Sequence, residues 1–131
     1  MFEQRIEIQE GESLTLVKLL GNASIAAWDQ IDVLIKLPSG GEADLTVEQA
    51  EGGPSVSARR NCEVRMPAGL AAKVREAKGN LAVKGISSLD AEQVRGKRAL
   101  KDGGEAKLSE VYGGLEAKGL RSVSVAGTIF G

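Results

Sequence analysis

The sequence predicts an all-β domain of the β-solenoid (β-helix) class, in which short strands stack coil upon coil. Three observations carry that expectation. Gly79, Gly96 and Gly113 lie seventeen residues apart, and a pattern of apolar, any, apolar, any, any, apolar recurs around them. Hydrophobic residues make up 42% of the chain but aromatic residues only 3%, with 17 glycines, so the core must be built in thin layers of Val, Leu, Ile and Ala. Turn signals break the apolar runs at Gly11, Gly21, Pro38-Ser39-Gly40-Gly41, Gly52-Gly53-Pro54 and Pro67-Ala68-Gly69. A chain of 131 residues has the length of one domain. That domain is expected to span 1–131, with irregular, antiparallel-like strands over 1–66 and regular coils over 67–131.

In chain order, Phe2, Ile6 and Ile8 alternate with Glu3, Arg5 and Glu7, and the segment has neither the basic nor the apolar region of a secretory signal. Ala23 with Ile25, the run Ile31, Val33, Ile35 and Leu37, then Leu45 with Val47, Val56 with Ala58, and Val64 with Met66 keep strand character without a strict period. This half reads as an opening hairpin or irregular coils that lead into the stack.

The regular part can be followed through seven copies. They are Ala72, Val74, Ala77; Leu81, Val83, Ile86; Leu89, Ala91, Val94; Arg98, Leu100, Gly103; Ala106, Leu108, Val111; Leu115, Ala117, Leu120; and Val123, Val125, Thr128. The fourth is poor. The apolar-any-apolar step marks a short strand with one buried face, and the next two residues turn the chain, so two copies close one coil. Ala72, Leu89, Ala106 and Val123 are then expected to stack at about 4.8 Å. Leu70–Lys78 and Ser88–Arg95 have good local helix propensity, but each is about two turns long and marginal alone. Both share their register with segments that read as strand, and the repeat outranks propensity.

In order and spacing these residues resemble the adhesin β-helix domain family of bacteria and archaea, whose function is unassigned. The likeness runs from Phe2 through Leu14–Trp28, Asp29 and Ile31–Leu37, then Val64-Arg65-Met66-Pro67-Ala68-Gly69-Leu70, Gly79-Asn80-Leu81-Ala82-Val83 and Gly113-Gly114-Leu115-Glu116-Ala117. Glycines and small aliphatics carry little chemistry, so the resemblance implies a fold more than an activity. The chain departs from relatives that would carry a signal peptide or membrane segment.

Charge and residue types narrow the function. Seventeen Lys and Arg against eighteen Asp and Glu give a net charge of −1, with no global field to recruit nucleic acid. Without histidine the chain lacks the commonest general base and transition-metal ligand. Cys62 is the lone cysteine and reads as a small hydrophobe. Asp29, Asp32, Asp44, Asp90 and Asp102 form no calcium-loop pattern, and Trp28 reads as an aromatic closing one end of the core. The chain is therefore expected to be no enzyme and to hold no cofactor or metal. No apolar run is long enough to span a membrane, so the default compartment is the cytoplasm, although a processed extracellular chain would read the same way.

The leading expectation is a structural protein that self-associates, head-to-tail into fibres, through an open end of the stack. The assembly strand would be Ser122, Val123, Ser124, Val125, Thr128, Ile129 and Phe130, an alternating uncharged stretch. The alternative is a binding module that recognises a glycan, a protein or an envelope component on a flat sheet face. Lys84, Lys101 and Lys118 recur at the repeat step and would form a polar binding edge, or a solvated edge that discourages stray strand pairing.

Overall fold

The computed structural model describes residues 2–9, 11–67, 69–111 and 114–125. Fourteen strands and a single 3-10 turn at Glu42–Asp44 make up the secondary structure of the described residues. The strands are β1 Phe2–Ile6, β2 Ser13–Leu19, β3 Ala23–Trp28, β4 Val33–Leu37, β5 Leu45–Ala50, β6 Gly53–Ala58, β7 Cys62–Pro67, β8 Ala71–Ala77, β9 Leu81–Lys84, β10 Ser88–Val94, β11 Arg98–Lys101, β12 Glu105–Val111, β13 Leu115–Lys118 and β14 Ser122–Val125. The all-β expectation is met, and both helix-prone segments are strand. No helix among the described residues is long and apolar enough to cross a membrane.

Two mixed sheets form, ordered β1-β4-β7-β3-β9-β11-β13 and β14-β12-β10-β8-β2-β6-β5. From β8 onward the chain alternates between them, and the pairings of β8–β14 with one another are all parallel at a seventeen-residue offset. Ala72 pairs with Leu89, Leu89 with Ala106 and Ala106 with Val123, while Leu81 pairs with Arg98 and Arg98 with Leu115. Alternation within each strand decides which side faces in: Leu81 and Val83 are buried, whereas Ala82 and Lys84 are exposed. Buried residues of both sheets, such as Ile25 and Val64 with Leu14 and Leu16, form one hydrophobic cluster.

The first half differs from the expected irregular strands in an informative way. β1 pairs antiparallel with β4, β4 with β7, and β5 with β6, which matches the antiparallel-like reading. β2, however, pairs parallel with β6 and β8, and β3 pairs parallel with β7 and β9. The β2–β3 pair lies between β6–β7 on one side and β8–β9 on the other, out of chain order. β1 pairs with β4 and not with β2, so no opening hairpin forms. Ile31 lies in the turn between β3 and β4 and is 88% exposed, outside the strand expected to contain it.

Asparagines hold together the turns that lead into β3, β7, β9 and β11. Asn61 Oδ1 accepts the Asn22 N–H, Asn22 Oδ1 accepts the Asn80 N–H, and Asn80 Oδ1 accepts the Lys97 N–H, each at 2.9 Å. Side-chain oxygens thereby satisfy turn N–H groups that the sheet ladders leave open. Gly79 and Gly96 precede this position because adjacent rungs touch there. A Cβ on Gly79 would lie 2.6 Å from Asn22 Oδ1 and 2.7 Å from the Gly21 carbonyl oxygen.

Candidate functional site

The outward side chains of the first sheet form two columns that cross the strands. One runs Glu3, Lys36, Glu63, Ser24, Ala82, Ala99, Glu116. The other runs Arg5, Leu34, Arg65, Ala26, Lys84, Lys101, Lys118. The first mixes signs and small residues. The second carries only cations among its charged members, and it brings Lys84, Lys101 and Lys118 together in unbroken register.

That placement corrects the expected edge. β9 and β11 are hydrogen-bonded on both sides, so Lys84 and Lys101 lie on the sheet face, and only Lys118 sits on an outer strand. A lysine can guard a strand edge only where unpaired N–H and C=O groups exist, which interior strands do not offer. Sequence spacing missed Arg65, which joins the same column through Ala26 because β7 pairs out of chain order with β3.

Neighbouring ions do little to neutralise the row. Among the described residues Lys118 meets Glu116 at 3.3 Å on its own strand, while the ion pairs found do not involve Arg65, Lys84 or Lys101. The outer face of the second sheet is built differently. Its comparable column runs Glu48, Ser55, Thr15, Lys73, Asp90, Lys107, Ser124, so Asp90 stands between two lysines.

Beside the cationic row lies a shallow groove of about 300 Å³ with Ser24, Ala26, Ala82 and Ala99 as its floor and Arg65, Lys84 and Lys101 around it. A larger hollow of about 490 Å³ follows the asparagine turns past Asn22, Asn61, Asn80 and Lys97. Trp28 ends the same face, half-buried. Its Nε1–H donates to the Asp32 carbonyl oxygen at 2.8 Å and the Arg5 guanidinium sits 5.6 Å from the ring centroid.

Among the described residues no three His, Cys, Asp or Glu side chains approach closely enough to hold a metal ion. Glu76, Gln93 and Glu110 share one register of the second sheet. Cys62 is buried, and desolvation, with a smaller contribution from Glu63, pushes its thiol pKa from 9.0 up to about 11. Arg98 fills a core position between Leu81 and Leu115 at 1% exposure, and burial lowers its pKa from the ordinary value.

Of the expected assembly strand, Ser122, Val123, Ser124 and Val125 form β14, which pairs with β12. Thr128, Ile129 and Phe130 lie outside the described residues. Val123 is 41% exposed, although Ala72, Leu89 and Ala106 in its column are buried. No family model, curated protein or solved structure matches the chain.

Proposed function

We propose that the chain is a non-enzymatic β-solenoid that serves as a binding module, with the outer face of the first sheet as its ligand surface. The in-register row of Arg65, Lys84, Lys101 and Lys118 carries this reading. Like charges placed opposite each other destabilise a sheet, and at a rung spacing of 4.8 Å each pair repels by about 0.9 kcal/mol in water before screening. Solubility needs charge, but not charge of one sign in one row. On the second sheet the column through Lys73, Asp90 and Lys107 alternates in sign. The seventeen-residue offset of the parallel pairings among β8–β14 supports the coil reading. The lack of histidine and the buried, protonated Cys62 support a non-enzymatic role.

A second reading, self-association through β14, is favoured by the exposure of Val123 in a column that is otherwise buried. Head-to-tail fibres in continuous register have a specific obstacle. Extending the two outward columns into a second copy would set Glu116 opposite Glu3 and Lys118 opposite Arg5. This charge mismatch ranks the binding face above the fibre. Electron microscopy over a concentration series separates them, because regular fibres whose axial repeat matches one domain length would restore assembly as the leading role.

The binding reading is tested by probing one array of immobilised glycans and proteins with the native chain and with K84E/K101E. Signals that disappear only in the charge-reversed, folded variant are expected. If every signal survives reversal, the face is not the ligand surface.

A further inference from the structure

We infer that the ligand of this face is a linear acidic polysaccharide lying across the strands, along the cationic row. The inference rests on the binding-module reading above and names the chemistry of its occupant. From Arg65 on β7 to Lys118 on β13 the row crosses four strand spacings, about 19 Å at about 4.8 Å each. One cation per rung over the last three rungs suits a polymer with an acidic group on successive units. The floor of Ser24, Ala26, Ala82 and Ala99 is low enough for a chain to lie close to the sheet, where long lysine side chains can reach along it. The Ser24 hydroxyl can donate to or accept from a sugar hydroxyl.

Other polyanions fit less well. Single-stranded nucleic acid needs aromatic platforms for its bases, and Trp28, the one tryptophan, sits at the end of this face with Arg5 over its ring. An extended acidic peptide that adds a strand to the sheet would need an open edge; β7, β3, β9 and β11 have partners on both sides, so of the row's strands it could dock only along β13, beside Lys118 and away from the rest of the row. An anionic membrane calls for a broad basic patch or an apolar wedge. This row is one cation wide and has Glu63 and Glu116 in the neighbouring column.

The test is isothermal titration calorimetry with an oligogalacturonate octamer, its fully methyl-esterified counterpart and an oligodeoxythymidylate of equal charge. The proteins are the native chain, K84Q/K101Q, and K18Q/K107Q, which removes the same charge from the other sheet. Thermal melts establish that all three are folded. Expected is binding of the acidic octamer in about 0.05 M salt that is lost by about 0.5 M, and is weakened at least about tenfold in K84Q/K101Q. K18Q/K107Q should bind within about twofold of the native chain, and the ester should not bind. Equal binding of the ester would overturn recognition by charge while leaving the binding face standing. Tighter binding of the oligonucleotide through the same lysines would overturn the polysaccharide class alone. An equal loss in both variants, or no binding of the octamer at all, would overturn the inference, and the array comparison then decides the binding face separately.

Discussion

Asn22 accepts the backbone N–H of Asn80 through its side-chain oxygen at 2.9 Å, although 58 residues separate the two in sequence. The same asparagine donates its own N–H to Asn61 Oδ1, also at 2.9 Å. It therefore ties together three rungs that the chain visits in a different order. Asn22→Ala removes an acceptor that serves a backbone donor and should cost about 1 kcal/mol, the usual net worth of such a bond. Asn22→Asp keeps the acceptor and should cost less. Urea melts of the two variants check this, and equal losses would show that the oxygen is not the stabilising atom.

Adjacent turns meet closely enough at Gly79 to leave no room for a methyl group. With a Cβ 2.6 Å from Asn22 Oδ1 and 2.7 Å from the Gly21 carbonyl oxygen, either the rung spacing or the asparagine bond must yield. Gly79→Ala is expected to destabilise by about 1–3 kcal/mol, the range for overpacking at a tight site. Thermal unfolding of G79A beside G41A, where a Cβ would meet nothing within 4 Å, gives the comparison.

The parts of this arrangement visible in the sequence are those governed by an unbroken period. Seventeen-residue spacing yields the Ala72, Leu89, Ala106, Val123 column and the Lys84, Lys101, Lys118 row, because equal spacing in a parallel ladder means equal register. It did not reveal Arg65 as part of the row, since β7 reaches β3 by crossing a rung rather than by repeating a spacing. Gly21-Asn22 and Gly79-Asn80, each before an apolar strand, were a readable signal for the turn ladder. Arg98 was a poor match to the apolar pattern yet is buried in full register with Leu81 and Leu115, so strand pairing overrode side-chain polarity there.

A second period sits in the opposite turns. Gly85 has φ 75°, Asp102 φ 51° and Gly119 φ 67°, all left-handed and seventeen residues apart. Aspartate tolerates this region better than most residues, but a β-branched side chain does not. Asp102→Val should cost about 1–2 kcal/mol. Asp102→Gly should be neutral or stabilising by up to about 1 kcal/mol, the relief of strain being partly offset by a more flexible unfolded chain. Denaturant midpoints for both variants test the sign.

Lys101 stands between Lys84 and Lys118, so its replacement separates stability from binding. Lys101→Glu converts two like-charge neighbours into two opposite-charge neighbours. Stability should rise by about 0.5–1 kcal/mol at low salt, within the range for cross-strand charge pairs, and the gain should fade as salt is raised. A stabilised variant that has lost its ligand would show that the native row is kept for recognition. A destabilised one would mean that Lys101 supports the fold itself.

Cys62 links burial to alkaline stability. Its thiol titrates at 9.0 when unperturbed and at about 11 in the fold, so the folded state holds the proton more tightly. Below pH 9 both states are protonated and the full contribution is present. Between pH 9 and 11 the unfolded chain releases its proton first, and stability falls with rising pH by roughly 2–3 kcal/mol over the window. The measurement is the difference between the native chain and Cys62→Ala across pH 8–11, which isolates the thiol's share. The alanine variant should be less stable at pH 8 because of the vacated space and should lose less on going to pH 11. Parallel slopes would mean that the thiol ionises as easily in the fold as out of it.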